Sequence, residues 1–424
     1  MRMLLYWLFL SIPTVMIAQP HYDDYFMNKS LRFDFLLGGN HDEVFVYPAA
    51  IKQEPYWAGN KNKLIDPFDY GTYRFRVFDL NSDSLIFTKG FCTIFQEWQT
   101  TDEAKKIEKT YYQAAIFPFP KKDVRLEIDA REWDGTFRTI YTTNIDPENY
   151  FITKESPDHY KNRAILDNGK PENKVDIVIL AEGYTKNEQA KFYKDAKRVS
   201  NYLFKEEPFK SEQENFNVNA VFTPSAESGT DVPGEQIYKN TAFNSSFYTF
   251  DLPRYLTIID MKNIYDAAST VPYDYVYILV NTDRYGGGGF YNLVTVCTAD
   301  NELSQQVFIH EFGHGFAGLG DEYYDSDVAY EDYYNLEIEP WEANLTTLVD
   351  FDSKWKLMLD PSTPIPTPRI EKYKNILGVF EGGGYVSEGI FSPMMDCRMK
   401  SNASDGFCPV CEDAIRKVIR FHTE

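Results

Sequence analysis

The sequence predicts an all-β sandwich domain followed by an α/β domain, because the pattern of apolar residues changes once along the chain. Between residues 31 and 144, short segments such as 73–77 alternate apolar and polar side chains, and turn residues separate them. Short alternating strands at this spacing are typical of an antiparallel sandwich. Farther along, VDIVILA at 175–181 is an almost unbroken apolar run, which is typical of a strand covered on both faces.

The polar segment 153–172, which contains Pro157 and Pro171, marks the predicted boundary between the two domains. We therefore expect the β-sandwich domain to span residues 19–160 and the α/β domain to span residues 170–424.

The second domain begins with the pattern of a strand, a helix and further strands. Thr185 and Glu188 have the spacing of a helix capping box. The apolar stripe of an amphipathic helix follows at Phe192, Ala196, Val199 and Leu203. Segments 216–222 and 273–281 have the composition of two further strands.

The first 18 residues predict a secretory signal peptide. Arg2 precedes an apolar stretch at 4–17, and Ala18 provides a small residue at its end. An uncleaved membrane anchor is the alternative interpretation. No later segment is apolar over the length that a bilayer requires. We therefore expect an exported protein without stable membrane insertion, located in the periplasm, at the cell surface or outside the cell.

Composition and charge narrow the class of partner. The 424 residues include 43 Lys and Arg against 64 Asp and Glu, which gives a formal net charge of −21. Nucleic acids and anionic lipids would repel such a protein at long range, so we exclude nucleic acid as a partner. The 31 Tyr and 32 Phe favour strand-rich structure.

Residues 310–314, HEFGH, form a His-Glu-x-x-His motif. Residues four apart lie on one face of a helix, so His310 and His314 can bind one metal ion, and zinc is the ion typical of this motif. Glu311 would lie beside that ion and could accept a proton from a bound water. The motif therefore predicts a catalytic zinc site with Glu311 as the catalytic residue.

The surrounding sequence predicts that the motif lies on a helix. Leu303 and Val307 continue the stripe that contains both histidines, and Asp300 or Asn301 could cap the start of the helix. Gly318 permits the chain to turn out of the helix at its end.

The sequence from 310 to 324 resembles the metallopeptidase family named for bacterial IgA peptidases, in which a Gly-Leu-x-Asp-Glu-Tyr segment follows the His-Glu-x-x-His helix. Further matching segments are VDIVILAEGYT at 175–185, YGGGGF at 285–290, EPWEANLT at 339–346, SPMMDCRM at 392–399 and FCPVC at 407–411. The resemblance covers most of residues 174–424, and the β-rich segment before it resembles the N-terminal domain of the family. Because the family is similar to metzincins, it implies a metzincin-like catalytic domain with a mixed sheet and an active-site helix.

The sequence alone does not identify the third metal ligand. Metzincin spacing would place a histidine at position 320, which is Gly320 in this chain. Asp321 is the preferred ligand because its short side chain suits a position held by the backbone. Glu322 is its competitor, and a later carboxylate such as Glu331 or Glu342 is a third option.

Two other segments resemble parts of metzincin active sites. Residues 392–395, SPMM, resemble the methionine turn beneath the zinc, although buried thioether packing alone would also explain them. Residues 285–290 lie where an edge strand of metzincin-like enzymes holds the substrate, and a flexible surface loop is the alternative. The expected substrate-binding residues are Gly286, Gly287, Gly288 and Gly289.

The C-terminal region predicts a helix attached by a disulfide. Pro409 suits the first turn of a helix. Its apolar stripe would consist of Ala414, Ile415, Val418 and Ile419. In an exported protein, Cys397 could form a bridge with either Cys408 or Cys411. The Cys-x-x-Cys spacing of Cys408 and Cys411 could also indicate a thiol redox site or half of a zinc knuckle, but no second cysteine pair accompanies it, so the bridge is preferred.

The motif and the resemblance together predict an exported zinc-dependent endopeptidase whose substrates are proteins or peptides. The family name does not identify the substrate, since nothing in this sequence encodes a pocket for an immunoglobulin hinge. The alternative is a non-catalytic, zinc-containing surface protein that binds peptide or glycan through its N-terminal domain.

Overall fold

The computed structural model describes residues 19–156, 160–324 and 333–424. The predicted signal peptide at 1–18 and the alternative ligand Glu331 lie outside the described residues. Among the helices of the described ranges, none has the length and apolar character needed to cross a membrane.

Residues 19–156 fold into two four-stranded sheets that share one buried core. The strands are β1 (Phe26–Gly39), β2 (Val44–Glu54), β3 (Tyr73–Asp79), β4 (Leu85–Phe91), β5 (Lys109–Pro120), β6 (Val124–Arg131), β7 (Phe137–Ile145) and β8 (Thr153–Lys154). The strand orders are β5-β1-β2-β8 and β4-β3-β6-β7, and only β2 and β8 pair in parallel. Helices α1 (Tyr22–Tyr25) and α2 (Ile94–Gln99) belong to the same region. Alternate residues such as Phe33 and Phe75 fill the core between the sheets, and the predicted β-rich character of this region is confirmed.

The remaining described residues, 160–324 and 333–424, are built around a six-stranded mixed sheet. Its elements are β9 (Lys161–Leu166), β10 (Val175–Glu182), α3 (Gln189–Leu203), β11 (Phe216–Phe222), α4 (Met261–Ala268), β12 (Tyr275–Val280), β13 (Gly287–Phe290), β14 (Val294–Thr298) and α5 (Ser304–Ala317). The hairpin β15 (Phe380–Gly383) and β16 (Val386–Ser392) and the helix α6 (Pro409–Thr423) follow. The sheet order is β13-β14-β12-β10-β11-β9, with four parallel central strands and antiparallel edges. The likeness to metzincins stays a prediction.

Strand β9 falls between the two predicted domain ranges, and it pairs with β11 as part of the second sheet. At the centre of that sheet, every residue of β10 is buried. Ile177 and Ile179 face a core shared with α3, α5 and α6, while Val178 and Leu180 face α4 and β5. The apolar run at 175–181 is therefore a strand covered on both faces, as its composition predicts.

Two predicted helices are confirmed in detail. The Glu188 carboxylate accepts a hydrogen bond from the Thr185 N–H at 2.8 Å, which completes the capping box before α3. Helix α6 starts at Pro409 and packs on the six-stranded sheet. The predicted apolar stripes of both helices are buried: Phe192, Ala196, Val199, Leu203, Ala414, Ile415, Val418 and Ile419.

The start of α5 differs from the prediction. Leu303 occupies the N-cap position, and neither Asp300 nor Asn301 caps the helix. Instead, Asn301 Oδ1 accepts a hydrogen bond from the Leu303 N–H at 2.9 Å and so closes the turn before the helix. The short Asn301 side chain thus bonds to a backbone N–H two residues later instead of capping the helix, and both arrangements are common for asparagine.

The predicted disulfide is absent from the structure. All five cysteines lie in the described ranges and are free thiols. The sulfur atoms of Cys397 and Cys411 are 3.8 Å apart, far beyond the S–S bond length of about 2.05 Å. Cys408 and Cys411 lie at the start of α6, which packs next to the segment after β16 without a covalent bridge.

The N-terminal region joins the mixed sheet through buried charges. Arg32 of β1 is fully buried and lies 2.9 Å from both Asp34 and Glu54. It also pairs with Asp266 of α4, which accepts a second hydrogen bond from Lys52 at 2.5 Å. This face of β1 is charged because α4 covers it and supplies the opposing carboxylate.

Asp266→Asn should weaken this junction. Burial would raise the pKa of Asp266, but Arg32, with hydrogen bonds from Lys52 and Lys262, lowers it to about 2. A carboxylate with a lowered pKa stabilises the fold above its ordinary pKa, so we expect a loss of about 2 kcal/mol at pH 7. The difference from the wild type should shrink to about half by pH 3, as the carboxylate becomes protonated.

Urea unfolding of both proteins at pH 7, 5 and 3 measures this effect. Asp42→Asn is the control, because the Asp42 side chain is 87% exposed. Equal unfolding free energies of the Asp266→Asn variant and the wild type at pH 7 would contradict the inferred role of Asp266.

Candidate active site

Helix α5 brings the two histidines of the motif to one point. The Nε2 atoms of His310 and His314 are 3.1 Å apart. Asp321, four residues after the end of the helix, places Oδ1 3.1 Å from His310 Nε2 and 3.2 Å from His314 Nε2. Three atoms of the types that bind zinc therefore form a nearly equilateral triangle.

The triangle has the size that a metal ion requires. Ligand atoms about 2.0–2.1 Å from a tetrahedral zinc ion are roughly 3.3 Å from one another. Asp321 is buried, and its Oδ1 accepts no hydrogen bond from any residue that the structure describes. A buried carboxylate oxygen without a donor is costly, and a cation between it and the imidazoles would satisfy it. The residues present fit a zinc ion.

Backbone carbonyls fix the orientation of both imidazoles. The Nδ1–H of His310 donates to the Arg398 carbonyl at 2.9 Å, and the Nδ1–H of His314 donates to the Leu319 carbonyl at 2.5 Å. With the proton held on Nδ1, the Nε2 lone pair of each ring is available to a metal.

The turn after α5 is what returns Asp321 to the histidines. Gly318 has a left-handed conformation with φ of 60°, and its N–H donates to the His314 carbonyl at 3.0 Å. A side chain at Gly318 would be strained by this φ and would place its Cβ 2.7 Å from the Trp341 ring. Glycine therefore ends the helix and reverses the chain within three residues of the ligand.

Electrostatics couple the three side chains in the absence of metal. Burial alone would lower the pKa of both imidazoles, but the Asp321 carboxylate raises it, to about 9 in His314. Burial would likewise raise the pKa of Asp321, but His314 and His310 hold it well below its ordinary value. Glu311 is different, because its burial raises its pKa against the opposing influence of the two imidazoles.

The loop between β15 and β16 holds Asp321 from the other side. The Tyr385 hydroxyl donates to Asp321 Oδ2 at 2.6 Å, and the Gly384 N–H donates to the Asp321 carbonyl at 2.8 Å. Gly384 and Tyr385 both have positive φ, 56° and 69°, as the central residues of the two-residue turn between the paired residues Gly383 and Val386. Tyr385 thus orients the carboxylate so that Oδ1 faces the histidines.

The alternative ligands do not reach this point. Glu322 points away from the histidines, and its Oε1 accepts a hydrogen bond from Asn344 at 2.9 Å. Glu342 accepts a hydrogen bond from the Tyr334 hydroxyl at 3.1 Å. Of the carboxylates weighed in the sequence and described by the structure, Asp321 alone lies with His310 and His314.

The predicted glycine segment forms an edge strand and lines the cleft. Gly287, Gly288 and Gly289 belong to β13 and line the cleft. The alternative interpretation of this segment as a flexible surface loop is therefore wrong. A Cβ at Gly287 would lie 2.9 Å from Glu311 Oε1, and one at Gly289 would lie 2.3 Å from the Glu311 carbonyl. The glycines therefore permit the edge strand to pass directly against the helix of the motif. Gly286 precedes the strand and packs against Phe247.

The methionine turn at 392–395 stays a prediction, and a methionine beyond it packs against the helix of the motif. Met394 and Met395 are only half-buried, whereas Met399 is fully buried. A Cβ at Gly313 would lie 2.8 Å from Met399 Sδ, so this methionine packs directly against the helix between the two histidines. The thioether beneath the motif comes from four residues beyond the segment that the resemblance indicates.

Several residues of the cleft carry no signal in the sequence. Gln96 and Glu97 of α2 form part of its wall, and Glu97 accepts a hydrogen bond from the Tyr255 hydroxyl at 2.5 Å. Burial raises the pKa of Glu97 to about 7. Arg254 lies on the same cleft and lowers the pKa of Glu311. The N-terminal region therefore completes the site, which no local motif could reveal.

Gly289→Ala should separate β13 from α5. The added Cβ would meet the Glu311 carbonyl at 2.3 Å, so one element must shift, at a cost of about 1–3 kcal/mol. We expect a lower unfolding free energy in urea than that of the wild type. Gly288→Ala is the comparison, because its Cβ would lie 3.0 Å from the Leu256 carbonyl and should cost less. Equal losses in the two variants would contradict this packing.

Comparison with known proteins agrees with the geometry. A family model described as IgA Peptidase M64 matches residues 164–376 and 369–419. A second model, described as Peptidase M64 N-terminus, matches residues 21–142. No curated protein matches the chain. Because the family models extend over most of its length, this chain belongs to the IgA Peptidase M64 family and is a peptidase whose substrates are proteins or peptides.

Proposed function

We propose that the protein is an exported zinc metallopeptidase that hydrolyses internal peptide bonds. His310, His314 and Asp321 would bind the zinc ion, and Glu311 would be the general base. The observation that carries the proposal is the triangle of two Nε2 atoms and Asp321 Oδ1, with separations of 3.1–3.2 Å, in a cleft that Glu311 also lines.

The chemistry follows from the side chains around this point. A bound zinc ion would supply Lewis acidity, which polarises the scissile carbonyl and lowers the pKa of a water ligand. Glu311 would accept the proton of the attacking water and deliver it to the leaving amine. Its raised pKa supports this role, because a carboxyl group with a pKa nearer neutrality both accepts and returns a proton readily.

An extended substrate would lie along the outer edge of β13. Backbone pairing with an edge strand is indifferent to side chains, so it suits a peptidase that acts within a chain. Tyr255 already forms a single parallel bridge with Gly287, and the substrate would therefore use the edge beyond this residue. Glu97 and Arg254 line the same cleft, so both would lie within reach of a bound substrate.

Glu311→Gln should retain zinc and fold but lose turnover by about 10²- to 10⁴-fold, because it removes the base without removing a ligand. The measurement is cleavage of a mixed peptide library and of an unfolded protein, with mapping of the cut sites. Glu302→Gln is the control, since Glu302 is exposed just before α5. Chelation should abolish the wild-type activity, and added zinc should restore it.

Asp321→Ala provides the contrasting result in the same experiment, because it should lose both one equivalent of zinc and the activity. The absence of cleavage by the zinc-loaded wild type across the library would overturn the enzymatic proposal. It would leave the alternative of a zinc-containing protein that only binds peptide or glycan.

Tyr385→Phe should weaken zinc binding without unfolding the protein. It removes the hydroxyl that donates to Asp321 Oδ2 at 2.6 Å and so releases the carboxylate from its orientation. Loss of such a supporting hydrogen bond costs about 10- to 100-fold in metal affinity or activity. Competition with a chelator measures the affinity, and Tyr238→Phe, at an exposed tyrosine, is the control. Unchanged affinity would show that the hydroxyl is not needed to position Asp321.

A further inference from the structure

A second group of metal-binding side chains lies beside the first. Glu322, Cys397, Cys408 and Cys411 are all buried, and one ligand atom of each lies within 4.8 Å of all the others. Glu322 directly follows Asp321 in the chain, but its side chain points to the cysteines. The cluster is therefore distinct from the site formed by the two histidines.

The spacing of the sulfur atoms suits a shared metal ion. Thiolates bind zinc at about 2.3 Å, so two of them on a tetrahedral ion are roughly 3.8 Å apart. The sulfur atoms of Cys397 and Cys411 are 3.8 Å apart. A disulfide would require about 2.05 Å. Cys397 and Cys411 are therefore at the distance of two ligands of one ion rather than of bonded partners.

Backbone groups point at two of the sulfur atoms. The Cys408 N–H donates to Cys397 Sγ at 3.3 Å, and the Cys411 N–H donates to Cys408 Sγ at 3.5 Å. Cys408 is the N-cap of α6, a helix of 15 residues, so its sulfur lies at the positive end of the helix dipole. These N–H groups and the helix end place positive partial charge beside the two sulfur atoms, which complements the charge of a metal-bound thiolate.

Glu322 completes the group with a carboxylate, one oxygen of which lacks a hydrogen-bond partner among the described residues. Its Oε1 accepts a hydrogen bond from Asn344 at 2.9 Å and lies 3.3 Å from Cys411 Sγ. Its Oε2 is buried and has no hydrogen-bond partner within the described parts of the chain. An unsatisfied carboxylate oxygen beside three thiols is the environment that a cation would stabilise.

We propose that Glu322, Cys397, Cys408 and Cys411 bind a second, structural zinc ion. Four protein ligands in a buried, closed group leave no position for a water, which is the mark of a structural rather than a catalytic site. Soft thiolate ligands favour zinc over calcium or magnesium. One ion would satisfy Glu322 and hold together the segment after β16, the start of α6 and the residue next to Asp321.

The second ion would also support the first site, a consequence that rests on the proposed function. Two segments, 321–322 and 397–399, contribute to both sites. Asp321 precedes Glu322, and Arg398, whose carbonyl accepts the His310 Nδ1–H at 2.9 Å, follows Cys397. The Glu322 N–H donates to the Met399 carbonyl at 2.8 Å and ties the two segments together. Loss of the second ion would therefore loosen the orientation of both His310 and Asp321.

The direct test is the metal content and sulfur chemistry of the wild-type full chain. We expect two zinc ions per chain by elemental analysis and a zinc–sulfur distance of about 2.3 Å by X-ray absorption. Mass spectrometry of the unreduced protein should find Cys397, Cys408 and Cys411 as thiols. A disulfide among these three, or zinc bound only by nitrogen and oxygen, would overturn the proposal.

Variants assign each ion to its site. Cys411→Ser should lower the zinc content from two to one and remove the sulfur contribution, whereas His314→Ala should lower it to one and retain the sulfur contribution. Cys297→Ser is the matched control, because Cys297 is a buried thiol outside the cluster and its variant should keep both ions. Should Cys411→Ser fail to fold, Glu322→Gln tests the same site while keeping its three thiols.

The two proposals can fail separately. Peptide cleavage by a wild type that holds one zinc without sulfur ligands would overturn the second site and leave the proposed function intact. A protein that binds two zinc ions, one of them through sulfur, but cleaves no peptide would overturn the proposed function and support the second site.

Discussion

The reversal of the chain at Gly318 is the constraint on which the candidate site depends. It ends α5 one turn after His314 and places the Leu319 carbonyl where it accepts the His314 Nδ1–H. Three residues after Gly318, Asp321 returns to the same face of the helix and meets both imidazoles. A residue with a side chain would be strained at this φ and would meet Trp341, so the ligand geometry requires glycine here.

The N-terminal region packs against the mixed sheet and contributes to the wall of the candidate site. One face of the sheet that contains β1 packs on the second sheet of the N-terminal region, and its other face packs on α4. Because both faces are covered, Arg32 and Asp34 are buried within a strand. The same packing brings α2 to the cleft, where Glu97 meets Tyr255. The wall of the site therefore depends on a contact between elements that are about 160 residues apart in the chain.

The sequence predicted those features that depend on local periodicity. The alternation at 73–77, the apolar run at 175–181 and the four-residue spacing of His310 and His314 each fix which side chains share a face. Asp321 could be found because it follows the helix closely. Tyr385 and Glu97 could not, since they reach the site through tertiary packing and have no motif of their own.

Asp321 and Glu322 show most clearly what local sequence cannot predict. Asp321 and Glu322 have similar chemistry and consecutive positions, and their order in the sequence does not say which carboxylate meets the histidines. In an extended segment, consecutive side chains point in opposite directions, so one of the pair must face away. The direction is set by partners from other segments: Tyr385 holds Asp321, and Asn344 holds Glu322.

The histidine site is organised before any metal binds. Burial would lower the pKa of His314, but the Asp321 carboxylate raises it to about 9, so these two side chains attract each other directly. The backbone carbonyls of Arg398 and Leu319 and the Tyr385 hydroxyl hold the three ligands from outside. A metal ion that bound these atoms would find the side chains already in position, and protons would compete with it for the two imidazoles. Because the orienting groups belong to separate segments, the packing of those segments also determines how well the site is formed.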